Sequence, residues 1–204
     1  MRLATQPLAQ YLNEKRSELM FGELEAVALR LFEVRGFSTV TVQDIAAEAK
    51  ISVRTFYRYF PAKEDVLQVR INRRGEALRA ALSATSPDDS PLHAVRVALT
   101  ALTAEDDLEL LRRWTSVIEA TPSVLRGVVG GIMLKINQVL AEFFAARLGL
   151  PIEALVPTVL AAATGSVIQT AHTQWYLTGG DLETMLSDSL AVLEGGIGTD
   201  PRTG

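Results

Sequence analysis

Between Ser52 and Pro61, Arg54, Tyr57 and Arg58 have the chemistry to hydrogen-bond a nucleic acid. A guanidinium makes bidentate hydrogen bonds to a guanine edge or a phosphate, and a tyrosine hydroxyl reaches phosphate oxygens. Their spacings of three and four put them on one face of a helix. Phe56 and Phe60, four apart, take the other face and suit a core. Val53 and Thr55 add methyl groups of the kind that contact thymine. From Lys50 to Lys63 the chain carries four cationic residues and no acidic one. Arg54 and Arg58 are therefore the best candidates for reading bases.

Positioning this face requires two short helices and a turn. Ser52 is a good N-cap for the helix that carries it, and Pro61 disfavours helical geometry at the residue before it. Upstream, Thr41-x-x-Asp44 has the form of a capping box, followed by Ile45, Ala46 and Ala49 on one face. A helix-turn-helix of this kind lays its second helix in the DNA major groove. A first helix is expected over about 16–34, where Leu24, Ala28, Leu31 and Phe32 form an apolar stripe. Gly36 suits its C-cap, and Phe37 is expected to fold back onto the core. Residues 1–14 show little periodicity and read as a mobile arm or a short preceding helix. Arg2, Lys15 and Arg16 are candidates there for phosphate or minor-groove contact, with a solvated terminus as the alternative.

The chain resembles the TetR family of one-component transcriptional regulators. The resemblance rests on Leu24 to Phe32, Gly36-Phe37, Thr41-Val42-x-x-Ile45-Ala46 and Thr55-Phe56-Tyr57-x-Tyr59-Phe60-x-x-Lys63-Glu64-x-x-Leu67, about the first third of the sequence. It implies an all-α, homodimeric regulator, with an N-terminal three-helix helix-turn-helix head and a C-terminal helical body for ligand binding and dimerisation. Gln43 corresponds to a base-contacting position of the family. Thr41, Ser52, Tyr57, Tyr59 and Lys63 look like phosphate clamps, with core packing as the alternative for the two tyrosines. The chain departs from the family at Lys50, where glycine is usual. The turn commonly needs φ > 0 there, at a cost of about 1 kcal/mol for a non-glycine residue. Either Lys50 accepts that strain, or the turn differs and shifts the second helix.

Composition bounds the rest. The 204 residues, 48% of them apolar, suffice for a substantial core. Cysteine is absent, which excludes a disulfide framework and thiolate metal sites. No uninterrupted apolar run reaches the roughly 18 residues of a membrane span, and the N-terminus lacks the order of a signal peptide, so a cytoplasmic protein without membrane contact is expected. The net charge of −4 is unevenly spread. Through residue 84 there are 13 Lys and Arg against 10 Asp and Glu, and beyond it 7 against 14. A duplex needs a local positive face rather than a basic protein.

These features divide the chain into a head (1–62), a connecting helix (63–84), an effector-binding and dimerisation body (85–195) and a flexible tail (196–204). The Ser/Pro/Asp-rich stretch 84–91 marks the main break. The body reads as helices over 91–102, 106–120, 122–148, 151–177 and 181–193. The last two, with small apolar residues at 159–168, are expected to form a four-helix bundle between two subunits. Trp114, Met133, Phe144 and Trp175 are large side chains suited to lining an effector pocket, and Asn137 and His172 are polar groups that would orient a ligand. Gly130 and Gly131, in mid-helix, invite a kink or room for a ligand. The body loosely resembles regulators that sense acyl-coenzyme A, through Trp175 and Gly179-Gly180-Asp181-Leu182.

An enzyme is the rival reading. His93 and His172 lack metal-ligand spacing, and neither a Gly-rich phosphate loop nor a nucleophile elbow occurs. Asp106, Asp107 and Glu109 read as an exposed helix start. No catalytic residue, metal site or cofactor is assigned. A helical ligand-binding or interaction protein without DNA binding is the other alternative, and it leaves the Arg54–Tyr57–Arg58 face unexplained.

Overall fold

The computed structural model describes residues 8–105 and 107–195. Among them every regular element is helical, as expected. Arg2, Asp106 and the tail 196–204 lie outside the described residues. Two compact units emerge: residues up to Arg70 with Ser116–Leu125, and Ile71–Thr115 with the residues from Arg126 onward.

The first unit holds α1 (Leu8–Arg35), α2 (Val42–Glu48), α3 (Val53–Tyr59) and a 3-10 turn (Lys63–Leu67). α1 begins earlier than the sequence indicates. Residues 8–14, expected as an arm or a separate helix, are its first two turns. Leu8 and Leu12 are exposed there at 71% and 55%, so no buried stripe announces them. They extend a helix already nucleated downstream, where each added residue gains a backbone hydrogen bond. Leu24, Ala28, Leu29 and Phe32 of α1 are buried with Ile45, Ala46, Phe56 and Phe60. Each large side chain in that core contributes about 1.5–3 kcal/mol of transfer free energy. Gly36 ends α1 at φ +82°, and its N–H donates to the Phe32 carbonyl at 2.8 Å. This is the left-handed stop that a side chain disfavours.

The second unit contains most of α4 (Gln68–Ser83), α5 (Pro91–Glu105), most of α6 (Leu108–Glu119) and α7 (Pro122–Leu148), and all of α8 (Leu155–Thr178) and α9 (Leu182–Gly195). The expected connecting helix over 63–82 is thus a 3-10 turn followed by α4. One buried cluster runs through this unit, including Leu78, Val95, Leu140, Phe144, Ile168, Trp175, Leu186 and Leu190. The 84–91 break is a tied loop: Arg147 donates to the carbonyls of Pro87 and Asp89 and to the Thr85 hydroxyl.

α7 bears on the expectation of a protein without membrane contact. Gly127–Leu148 is long and apolar enough to match a membrane span by length and mean hydropathy, although no uninterrupted apolar run marks it. Its packing is that of a core helix. Val139, Leu140, Phe144 and Ala145 are buried, and Glu142 pairs with Arg79 of α4 at 2.7 Å. That guanidinium, first, and the Gln138 amide hold the Glu142 carboxyl below its usual range against the opposing effect of burial. α7 also runs unbroken through Gly130 and Gly131, with open space beside Gly130.

Candidate functional site

The recognition face starts with how α2 and α3 are held. Neither exceeds seven residues, so neither would persist on propensity alone; caps and core packing fix them. The expected capping box is present. The Thr41 hydroxyl accepts the Asp44 N–H at 3.1 Å, and the Asp44 carboxylate accepts the Thr41 N–H at 2.8 Å. Arg35 binds the other carboxylate oxygen at 3.1 Å. Hydrogen bonds from the Thr41 side chain and backbone, then from Arg35, pull the Asp44 carboxyl down to about 2. At α3, the Ser52 hydroxyl accepts the Thr55 N–H at 3.0 Å and bonds the Thr55 hydroxyl at 2.8 Å.

Between the two helices lies a Schellman motif. The Lys50 N–H donates to Ala47 O at 3.1 Å, and the Ile51 N–H donates to Ala46 O at 2.9 Å. Lys50 takes the left-handed position at φ 56°. The turn therefore keeps the geometry usual for glycine, and Lys50 accepts the strain.

α3 turns Phe56 into the core, with Phe60 just past its end, exposed at 0% and 2%. It presents Arg54, Tyr57 and Arg58 outward, with Tyr57 exposed at 51%. Arg54 and Gln43 are exposed, and their side chains make no hydrogen bond or ion pair with other described residues. Val53 and Thr55 are half-buried beside them. Arg58 folds over its neighbour: its guanidinium lies 5.0 Å from the Tyr59 ring centre and donates to the Tyr59 hydroxyl at 3.3 Å. Tyr59 is half-buried, its ring edge-on to Phe21 at 5.5 Å. Its ring thus packs against the core, and its hydroxyl meets Arg58. Phe21 went unnoticed in the sequence, although it lies three residues before Leu24 on the same stripe; it also packs against Phe60 at 5.4 Å.

Lys63 sits differently from a free clamp. Its ammonium donates to the carbonyls of Phe37 and Val40 at 2.7 and 2.8 Å and lies 4.1 Å from the Phe37 ring centre. It ties the turn after α3 to the loop between α1 and α2. The Thr41 and Ser52 hydroxyls are likewise committed to helix starts. Of the arm's candidate cations, Lys15 and Arg16 lie exposed on α1.

In the body, the candidate ligand residues fall into separate groups. Phe144 and Trp175 are buried in the shared core at 0% and 2%, with the Arg112 guanidinium 4.5 Å from the Trp175 ring centre. Trp114 is buried on α6 at 6%. Met133 and Asn137, a turn apart on α7, meet Gly165 of α8. A Cβ there would stand 2.2 Å from Asn137 Oδ1 and 3.4 Å from Met133 Cε, so a side chain at 165 would force the Asn137 amide to move. Asn137 Oδ1 and the hydroxyl of fully buried Thr164 have no hydrogen-bond partner among the described residues.

His172 lies two turns further along α8. Its Nε2 is 3.2 Å from an Arg74 nitrogen of α4, and its Nδ1 is 3.0 Å from the Ile168 carbonyl. The ring is therefore neutral, donating from Nδ1 and accepting at Nε2. Burial first, and the Arg74 charge second, push its pKa down to about 4. The sequence suggested a solvated face or DNA contact for Arg74 and close helix approach around Gly165, but not their partners His172 and Asn137, which lie distant in the chain.

Comparison with known proteins follows the same division. Residues 25–69 match the family described as "Bacterial regulatory proteins, tetR family". Residues 89–198, more than half of the chain, match "MftR C-terminal domain". The chain is 29% identical over 171 residues to the regulator TcmR of Streptomyces glaucescens, spanning 78% of this chain and 74% of TcmR. It is also 29% identical over 151 residues to a regulator named MftR in Mycobacterium tuberculosis, spanning 73% of this chain and 76% of that one. Among solved structures, Thermus thermophilus FadR, a TetR-family repressor in complex with lauroyl-CoA, superposes with a TM-score of 0.61 at 20% identity, covering 90% of this chain and 98% of FadR. SmeT bound to triclosan superposes with a TM-score of 0.62 at 19% identity, covering 84% and 90%. With the reading helix, its supports and the body in place, the chain belongs to the TetR family of bacterial transcriptional regulators, proteins that bind DNA, respond to small molecules and are not enzymes.

Proposed function

We propose that this protein is a homodimeric repressor that binds a pseudo-palindromic operator and is released by a small, mainly apolar effector. The carrying observation is the outward face of Arg54, Tyr57 and Arg58 on a helix fixed at both ends. In this reading Arg54 and Arg58 contact bases, with Gln43, Val53 and Thr55 beside them, while Tyr57 and the Tyr59 hydroxyl reach phosphates. Thr41, Ser52 and Lys63 act mainly by positioning these groups. The working division is a head (1–62), a connecting stretch (63–84), a body (85–195) and a tail (196–204).

Dimerisation is supported by α8 and α9. Leu155, Val159 and Leu177 of α8 are exposed at 76%, 53% and 68%, and Val192 of α9 at 60%. An isologous interface over these helices covers that surface and pairs two recognition helices about one DNA turn apart. The effector reading is supported by the apolar body and by two similar structures that hold lipophilic ligands, lauroyl-CoA and triclosan. Trp114, Met133, Phe144 and Trp175 supply the apolar lining in this reading. Asn137 and His172, with Thr164, are its polar handles. α4 carries the response, because Arg74 and Arg79 bond it to α8 and α7. Ligand and DNA then compete by favouring different conformers.

Footprinting on the DNA flanking the gene tests the reading. A protected inverted repeat, bound with steep salt dependence and released by lauroyl-CoA or another long-chain acyl thioester, is expected. Protection without dyad symmetry removes the dimer. Failure of any long-chain acyl thioester to release the protein removes the acyl-thioester effector.

A further inference from the structure

The turn between α2 and α3 carries a residue that the fold does not require. Lys50 occupies the C′ position of the Schellman motif at φ 56°, where glycine fits without strain. Strain retained at one residue points to a use for its side chain. That use is not found within the protein. Lys50 is exposed, and its ammonium has no hydrogen-bond or ion-pair partner among the described residues. The carboxylates of α2 are already engaged: Asp44 by Thr41 and Arg35, and Glu48 by Arg30 at 3.6 Å. The next cations along the chain behave differently, since Arg58 lies on Tyr59 and Lys63 on two carbonyls. Lys50 stands two residues before the N-cap of α3, at the head of a stretch free of acidic residues as far as Lys63. Its charge thus stands in the turn that leads into α3, and no described residue neutralises it.

We infer that Lys50 is a DNA-backbone contact of this protein, a phosphate-binding cation placed where the fold itself calls for glycine. The inference rests on α3 being the DNA-reading helix. A phosphate contact of this kind carries no base preference; it raises affinity for operator and unrelated duplex alike. The turn gives up stability and gains electrostatic grip.

Three variants of the full-length protein test this, measured against the footprinted operator and a scrambled duplex across a salt series. Lys50→Gly relieves the strain and removes the charge from both subunits of the dimer, so its melting temperature should rise while both duplexes bind roughly 25- to 100-fold more weakly at 0.1 M salt. With one such contact in each subunit of the dimer, the slope of log affinity against log salt should fall by about 1.8. Lys50→Asn, which tolerates the left-handed conformation without a charge, should match the glycine variant in binding. Lys50→Arg should keep wild-type affinity and slope. If Lys50→Gly binds both duplexes as tightly as wild type with an unchanged slope, Lys50 does not contact DNA. If it weakens only the operator, the contact is to a base and the inference is equally overturned. Failure of the underlying reading looks different: Arg54→Ala would then leave operator selectivity unchanged.

Discussion

Replacing Lys63 with methionine separates two roles for one ammonium. Methionine keeps much of the stem and removes the charge. The structure gives Lys63 two charge-assisted hydrogen bonds to backbone carbonyls, at 2.7 and 2.8 Å, and a ring contact with Phe37. A hydrogen bond to a charged group contributes about 1.5–3 kcal/mol net when well shielded. Lys63 is only half-buried, so the lower end applies, and the carbonyls it leaves can recover water. With the ring contact, Lys63→Met should cost about 2–3 kcal/mol. For a chain of this size that corresponds to roughly 5–10 °C in melting temperature. Thermal denaturation followed by circular dichroism measures it. Duplex binding across a salt series, well below the variant's melting temperature, completes the test. A tether predicts an unchanged salt slope, whereas a phosphate clamp in each subunit of the dimer predicts a slope lower by about 1.8. A melting temperature within about a degree of wild type, together with a reduced slope, would refute the tether.

Arg54→Ala should weaken operator binding by about 1–3 kcal/mol and relax base preference at one position in each half-site, read by affinities for a panel of single-substituted operators; unaltered discrimination would remove Arg54 from base reading. His172 gives a pH prediction with a definite sign. Its folded-state pKa is about 4 against 6.5 for the free side chain, so below pH 6.5 the unfolded chain takes up a proton that the folded chain refuses. This contribution is intact above pH 6.5 and is lost as the pH falls towards 4, by up to about 3 kcal/mol. Urea denaturation at pH 7.5 and 5 should therefore show a smaller acid loss for His172→Gln than for wild type, and equal losses would contradict a buried neutral ring. Val159→Asp puts a charge on the exposed apolar stripe of α8 and should yield monomers in sedimentation, with weakened operator binding. A dimer of undiminished stability would place the interface elsewhere.

What the sequence revealed follows from the range of the forces involved. Starts and stops governed by neighbours three or four residues away were readable: the Thr41–Asp44 box, the Ser52 cap, the Gly36 stop, and α7 from Pro122 to Leu148. So was the division of α3 into a buried Phe56 side and an outward Arg54–Tyr57–Arg58 side. At Lys50 the resemblance left two possibilities open, and the hydrogen bonds of the turn decide for φ > 0. The first two turns of α1 were not, since a helix extended into solvent leaves no buried period. Lys63 looked like a free cation because its acceptors lie 26 and 23 residues back in the chain. The fit of Asn137 against Gly165, and of Arg74 against His172, depends on helices far apart in sequence, and no local pattern encodes such a meeting.

The brevity of α3 has a practical corollary. Seven residues make about two turns, and such a segment detached from Phe21, Phe32 and Ile45 would melt into a random coil. A synthetic peptide copying residues 52–60 would carry Arg54, Tyr57 and Arg58 and yet bind almost nothing. Grafting those side chains onto another regulator would transfer sequence preference only if the host supplied the same buried floor beneath them. Substitutions in that floor, remote from any nucleotide, should therefore masquerade as promoter mutations in a genetic screen.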